Sequence, residues 1–356
     1  MSLFMEGILA TGSGVRVLSL PRGRWTLQRF ERFEGTADRA GRFTADFQVS
    51  DDSRVGVILC FHWIVLPLAI LLKWRHRVPL IYDEHDFYEI NTLEGGGAPG
   101  LTRLKHWVVR SVHRFCLPRV SLVTCIHMQN AELMRRLLES QPNVLELHNY
   151  PIAAWAQMTR ESTADQELSF VYVGGVYEKK GVRHAAEAFL SLPENVRDQS
   201  RLHIFGDGDP ELIEDLRQCP RIAIHNNVTP QQFRQFAAAT RACGLVLYND
   251  IPRHQLIGTN SRKLYEYLAL RMPVIATRVG EIPAFVEQHG VGLIVDARFR
   301  TEQLRDAMLS LAGNRAEWNR LSENAVRLMS QEEMSWEYEW TKVVRTGLLP
   351  GQRAAA

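Results

Sequence analysis

Short apolar runs alternate with stretches of helical period along most of the 356 residues. Segments 55–61, 80–82, 120–126 and 144–147 read as buried strands in the first half, and 170–173, 202–205, 222–224, 244–248, 274–276 and 292–295 in the second. Each is a near-continuous apolar run rather than an alternating one, the pattern of strands covered on both faces. Segments 63–74, 102–117, 130–139, 183–190, 231–240 and 301–328 read as helices between or after them. Strands alternating with helices predict parallel sheets of α/β type, and the length suits two domains, each with its own core. At the start, 3–9 reads as the end of a helix, 12–14 as a turn and 15–20 as a strand, while 25–54 is charged and mixed.

The richest stretch is 259–286, TNSRKLYEYLALRMPVIATRVGEIPAFV. Leu264, Tyr265, Leu268 and Ala269 have the spacing of a core face, Met272-Pro273 ends the helix, and Val274-Ile275-Ala276 reads as a buried strand. Thr259, Asn260 and Ser261 offer capping side chains at the helix start, where the dipole favours an anion. Lys263 and Glu266 stand three apart and share a face. A cation near the helix start and a carboxylate one turn deeper suit a sugar nucleotide. On spacing alone a surface ion pair is the commoner reading.

Two glycine turns follow strands. Gly174-Gly175-Val176-Tyr177-Glu178-Lys179-Lys180-Gly181 precedes a helix, so its glycines admit a diphosphate and Lys180 adds a point charge. Gly206-Asp207-Gly208-Asp209-Pro210 contains a D-x-D, a metal-binding pattern elsewhere. Its place between a strand and a helix makes it a turn instead. His62 and the loop Asp83-Glu84-His85-Asp86 stand at carboxyl ends of strands, where α/β proteins place ligands.

A net charge of +2 gives no global case for nucleic-acid binding. Five scattered cysteines form no disulfide or zinc pattern and fit a reducing cytoplasm. The start lacks the layout of a signal peptide, and the apolar run 64–72 is too short to span a bilayer. The helix 102–117 carries Lys105, His106, Arg110, His113 and Arg114 around Leu104, Trp107, Val108 and Phe115. It reads either as a solvated basic face or as a helix lying on an anionic membrane.

Residues 260–277 match N-S-x-K-x-x-E-Y-x-A-x-x-x-P-V-I-A-T. That pattern resembles the donor-site signature of GT-B glycosyltransferases of the retaining family 4 type (glycosyl transferases group 1). The resemblance implies two Rossmann-like domains facing across a cleft: an acceptor-side domain at 1–152, a nucleotide-sugar-binding domain at 168–330, and a last helix at 331–350 crossing back to the first. It implies transfer of a sugar from a nucleoside diphosphate sugar to a glycan or lipid-linked glycan, with no metal or redox cofactor; the cysteines fit the cytoplasm, and the basic helix a peripheral place at the inner face of the membrane. Carried over residue by residue, His85 stands near the sugar's anomeric carbon. Gly174, Gly175, Lys180, Gly206, Val228, Asn260, Ser261, Lys263, Glu266 and Gly280 surround the donor, with Glu266 on the ribose.

Several positions depart from the pattern. A glutamate that many relatives carry eight residues before Glu266 falls on Gly258; an Arg common after the first glycine falls on Gly175; a Glu common near 284 is Ala284. The family's first strand and its loop would lie upstream of residue 1, so the resemblance implies a first domain short of a strand. Two alternatives stay open: a catalytically silent nucleotide-sugar or glycan-binding partner of a polysaccharide synthesis complex, and a GT-B sugar-nucleotide epimerase.

Overall fold

The computed structural model describes residues 56–84, 88–89, 99–126, 143–156, 167–255, 258–298 and 301–349, together with the strands Val15–Ser19, Thr26–Phe30, Thr36–Ala37 and Phe43–Thr44. The chain divides into two compact units. Phe43–His148 and the C-terminal segment from Trp336 belong to the first, and Asn149–Ser335 to the second.

In the first unit Ile58–Cys60, Leu80–Glu84, Leu122–Cys125 and Val144–Glu146 form a parallel four-stranded sheet in that order. Its core is Leu66, Ala69 and Ile70 of the helix Leu66–His76 packed on Leu80, Tyr82 and Val123. The strand read at 80–82 runs on to Glu84, so Asp83 and Glu84, read as loop, are buried strand residues. Local partners make this tolerable: Asp83 Oδ1 accepts from the Thr124 hydroxyl at 2.7 Å, and Glu84 from the Tyr82 hydroxyl at 2.5 Å and the Tyr88 N–H at 2.8 Å. Val15–Ser19 is a strand, but it lies outside this sheet and pairs antiparallel with Thr26–Phe30. Its alternating V-R-V-L-S suits an antiparallel pair better than a parallel sheet covered on both faces. The helix read at 130–139 lies outside the described residues.

The second unit holds six parallel strands in the spatial order Ile222–His225, Ser200–Phe205, Leu168–Val173, Ala242–Val246, Val274–Thr277, Gly292–Val295. This is the doubly wound order, third-second-first-fourth-fifth-sixth, whose switch point lies between Leu168–Val173 and Ala242–Val246. Successive strand residues feed opposite faces. Phe170, Tyr172, Leu202, Ile204 and Leu245 pack with the helices Val182–Leu190, Pro210–Arg217 and Thr301–Gly313. Val171, Phe205, Val246 and Ala276 pack with Arg262–Ala269, Ile282–His289 and Arg315–Met329. Burial on both faces is why these strands read as unbroken apolar runs. The single helix read at 301–328 is two helices, broken where the Asn314 side chain caps the second by accepting from the Glu317 N–H.

Candidate functional site

A cavity of about 500 Å³ opens at the carboxyl ends of the second unit's strands, beside the switch point. Its walls include Val173-Gly174, Phe205-Gly206-Asp207 and Asn227-Val228-Thr229 from strand ends, with Arg262, Lys263 and Glu266 from the helix Arg262–Ala269.

That helix begins where the sequence predicts. Ser261 is its N-cap, its hydroxyl accepting from the Leu264 N–H at 3.4 Å and lying 2.9 Å from the Tyr248 hydroxyl. Lys263 is half-buried at the wall, its Nζ 4.7 Å from the Tyr248 ring centroid and 5.1 Å from that of Tyr172. Burial, and then the charge of Lys180, bring its ammonium down to about 7. Aromatic faces stabilise a cation weakly, and the two lysines oppose each other's charge, so the pair is set up for a multivalent anion. Glu266 stands one turn deeper and is salt-bridged to the exposed Arg262 at 2.7 Å. Both readings of the Lys263/Glu266 pair therefore resolve: Glu266 does make a surface ion pair, but with Arg262, while Lys263 and Glu266 both line the cavity.

The two glycine turns are zipped together rather than held open. Gly174 N–H donates to Phe205 O at 3.0 Å, Gly206 N–H to His225 O at 3.0 Å, and Val176 N–H to Asp207 O at 3.0 Å. A Cβ on Gly206, whose φ is +156°, would lie 1.9 Å from Gly174 O. The glycines thus wall the cavity because two backbones must touch, and the N–H groups of Gly174 and Gly206 are spent on protein carbonyls. The D-x-D is also consumed locally: Asp209 caps the helix Pro210–Arg217, and Asp207 Oδ1 accepts from Asn226 Nδ2 at 2.7 Å. Among the described residues, no group of three His, Cys, Asp or Glu side chains is placed to hold a metal ion.

Of the residues singled out in the sequence, Gly174, Gly206, Val228, Lys263 and Glu266 line the cavity. Lys180 stands off it but within electrostatic reach of Lys263. Gly175 does not line it; its carbonyl accepts from the Tyr172 hydroxyl at 3.1 Å. Asn260 is buried, its side chain accepting from the Asn149 N–H at 2.6 Å. Gly280, at φ +55°, gives its N–H to Gln255 Oε1 at 2.8 Å. These last two serve loop architecture in this structure. His85 lies outside the described residues. His62 caps the turn Trp63–Val65 through its Nδ1, which accepts from the Ile64 N–H at 3.2 Å.

Sequence reasoning missed the aromatic lining of the cavity, which includes Trp155, Phe205 and Phe233 with Val228 and Pro230. Phe205 stacks on His225 at 4.3 Å between ring centroids and meets Phe233 at 5.1 Å, while the Arg234 guanidinium lies 4.8 Å from the Trp155 ring centroid. The available signal was Thr229-Pro230-Gln231-Gln232, a capping box that fixes the helix Pro230–Ala238 and so Phe233. Trp155 carried no local signal.

Two parallel sheets wrapped by helices, one with a charged and aromatic cavity at its switch point, define an α/β protein of the GT-B class. A family model described as "Glycosyl transferases group 1" matches residues 167–314, and one described as "Glycosyl transferase 4-like domain" matches residues 7–163. The chain is thus similar to the group 1 glycosyl transferases over its second unit and to glycosyl transferase 4-like domains over its first. It is 24% identical over 221 residues to the lipopolysaccharide glucosyltransferase WaaG of Escherichia coli K12; the match covers 61% of this chain and about half, 54%, of that protein. The crystal structure of WaaG superposes with a TM-score of 0.59 at 17% identity, covering 77% of this chain and 76% of that one. Anabaena HepE in complex with UDP and glucose does so at 0.59 and 15%, covering 81% and 77%. Sucrose-phosphate synthase from Thermosynechococcus elongatus gives 0.62 at 15%, covering 82% and 72%.

Proposed function

We propose that the second unit binds a nucleoside diphosphate sugar and that the protein transfers the sugar, with retention, to a hydroxyl of a glycan or lipid-linked glycan. The observation that carries this reading is the mixed wall of the cavity. Aromatic rings suited to a base, the Glu266 carboxylate suited to ribose hydroxyls and the Lys263 ammonium suited to a diphosphate line one cavity, with Lys180 within electrostatic reach of Lys263. Structures of HepE with UDP and with UDP-glucose, and the glucosyltransferase name of WaaG, favour a UDP-sugar as the first donor to test.

In this reading the lysines stabilise the charge that builds on the departing diphosphate, an electrostatic contribution made largest in a site that excludes water. Glu266 holds the ribose and so fixes the donor's register. No metal is required, because the two ammonium groups take the role of counter-charge.

Calorimetry with UDP and GDP tests the assignment. Each hydrogen bond from a ribose hydroxyl to a carboxylate contributes about 1.5–3 kcal/mol. Glu266→Ala therefore weakens binding by at least about tenfold with the fold intact. Unchanged affinity removes Glu266 from the site. Product analysis with the preferred UDP-sugar then separates three outcomes: sugar on an acceptor supports the transferase, isomerised donor the epimerase, and tight binding without turnover the silent partner. The departure at Gly258, where relatives place a sugar-binding glutamate, is what keeps the last outcome in play.

A further inference from the structure

The Lys263 side chain reaches the cavity wall with no acid to meet it. Its Nζ faces the rings of Tyr248 and Tyr172, and among the described residues it has neither a hydrogen-bond acceptor nor a carboxylate partner. The groups that could supply one are engaged elsewhere. The Tyr172 hydroxyl donates to Gly175 O at 3.1 Å, the Tyr248 hydroxyl lies 2.9 Å from Ser261 Oγ, and Glu266 is salt-bridged to Arg262 at 2.7 Å. Burial raises both phenols above their ordinary range, so they stay uncharged at neutral pH. The charge that acts on Lys263 is the like charge of Lys180, from the glycine turn across the wall.

An ammonium carries three N–H donors and cannot accept. Ring faces compensate only weakly for the water it loses, and a neighbouring cation opposes its charge. Both effects favour the free amine and bring the group down to about 7. An ordinary lysine at pH 7 is free amine in only about one molecule in three thousand; here it is so in about half. A lysine desolvated beside a second cation is the arrangement of a nucleophilic amine. In sugar transfer Lys263 acts through its charge alone, so its nucleophilic character has no part there.

We infer that Lys263 is a carbamylation site for carbon dioxide, and that the adduct and a nucleoside diphosphate exclude each other. The Nζ lone pair attacks the carbon of CO2, an N–C bond forms, one C=O π bond opens onto its oxygen, and a proton leaves the nitrogen for solvent. The free amine and CO2 thus give R–NH–COO⁻ and H⁺. The product suits its place better than the ammonium does. It turns the repulsion between Lys263 and Lys180 into attraction, in surroundings where partial burial strengthens both. Other small electrophiles lack this match: an acyl group or an imine ends neutral or cationic and leaves Lys180 without a counter-charge. A diphosphate needs the same two lysines as cations, and the carbamate sets an anion in its way. That consequence rests on the nucleotide reading above; the adduct itself does not.

The test is carbon-13 NMR of the full chain equilibrated with labelled carbon dioxide and bicarbonate near neutral pH. The expected result is a carbamate resonance that Lys263→Arg and Lys263→Met both lack, which separates it from a carbamate on an α-amine. At fixed dissolved carbon dioxide it grows as pH rises through about 7, and Lys180→Gln reduces it. Calorimetry with UDP at matched pH and ionic strength should show affinity falling about twofold at the carbon dioxide pressure that half-fills the site. In Lys263→Arg, carbon dioxide should leave the affinity where it is. A parent spectrum identical to that of the two Lys263 variants overturns the proposal. So does a UDP affinity indifferent to carbon dioxide while the resonance is present. UDP affinity in carbon-dioxide-free buffer tests the nucleotide reading separately: a protein that binds no UDP there fails that reading, and the resonance alone then decides the carbamate.

Discussion

Lys263 sits where an ammonium is hard to keep. With burial and Lys180 holding it down to about 7, it is about half protonated in the empty site at neutral pH. A diphosphate reverses the balance by placing negative charge against the group, so the bound pKa lies above the free one. Proton uptake therefore accompanies binding, and affinity falls as pH rises from 7 toward the bound-state value, while below about 6 it is flat. Calorimetry at pH 7 in buffers of different ionisation heat should report uptake of about half a proton. Lys263→Arg, permanently charged, should abolish it. Absence of any buffer dependence in the parent protein would rule out Lys263 as the group meeting the phosphates. In the empty protein the sign is the opposite one: between pH 7 and 10.5 the unfolded chain holds the extra proton, so this group's contribution to stability rises with pH. Lys263 and Glu266 were legible in the sequence because helical spacing alone puts them on one face. The partner of the Asn260 side chain was not, being the N–H of Asn149, 111 residues away. The partner of the Gly280 N–H, Gln255, is likewise announced by no local pattern.

At the scale of elements, the helix Arg262–Ala269 and the turn after Leu168–Val173 are one device. The Val173 N–H donates to the Tyr267 hydroxyl at 2.8 Å, immediately before Gly174. The Tyr267 ring lies over Gly244, where a Cβ would approach within 2.2 Å of it. So the helix carrying Lys263 and Glu266 is fastened to the strand whose end walls the same cavity. Tyr267→Phe keeps the ring and removes the acceptor, leaving a buried N–H unmade at a cost of about 1–3 kcal/mol. Urea denaturation should show that loss, and UDP affinity should fall with it as the Gly174 turn loosens. A variant with the parent midpoint would mean the hydrogen bond contributes nothing. The sequence pattern found the strands well, since burial on both faces leaves an apolar signature. It stopped one strand short, at Tyr82, because Asp83 and Glu84 look like loop. Their strand character rests on Thr124 and Tyr88, which no local pattern announces. Tyr267 was passed over for a related reason: its ring faces Gly244, a strand residue far off in sequence, and the local apolar spacing gave Tyr265 and Leu268 instead.

At the scale of the whole molecule, the chain leaves the first unit after His148 and rejoins it at Trp336. The rejoining segment is held at the point of departure. Glu339, on the helix Trp336–Val344 and only 1% exposed, accepts from the His148 N–H at 3.1 Å and from Lys342 Nζ at 2.7 and 2.8 Å. Burial pushes its carboxyl up, but the hydrogen bonds from His148 and Lys342 outweigh it, and the net position is below the usual 4.5. A carboxylate lowered by folding contributes stability that is present above its unfolded value and is lost as pH falls through the folded one. Glu339→Gln should therefore destabilise the first unit by about 1–3 kcal/mol at pH 7. The gap from the parent protein should close as pH is lowered below about 4.5. Thermal unfolding followed by tryptophan emission, as the difference between backgrounds with and without Trp336→Phe and Trp340→Phe on this helix, measures it where a single global midpoint would not, since two units need not melt together. A gap that stays constant down to pH 3 would assign the loss to packing rather than to charge. If the variant leaves that difference signal untouched at every pH, the Glu339 network is not what keeps the C-terminal helix on the first unit.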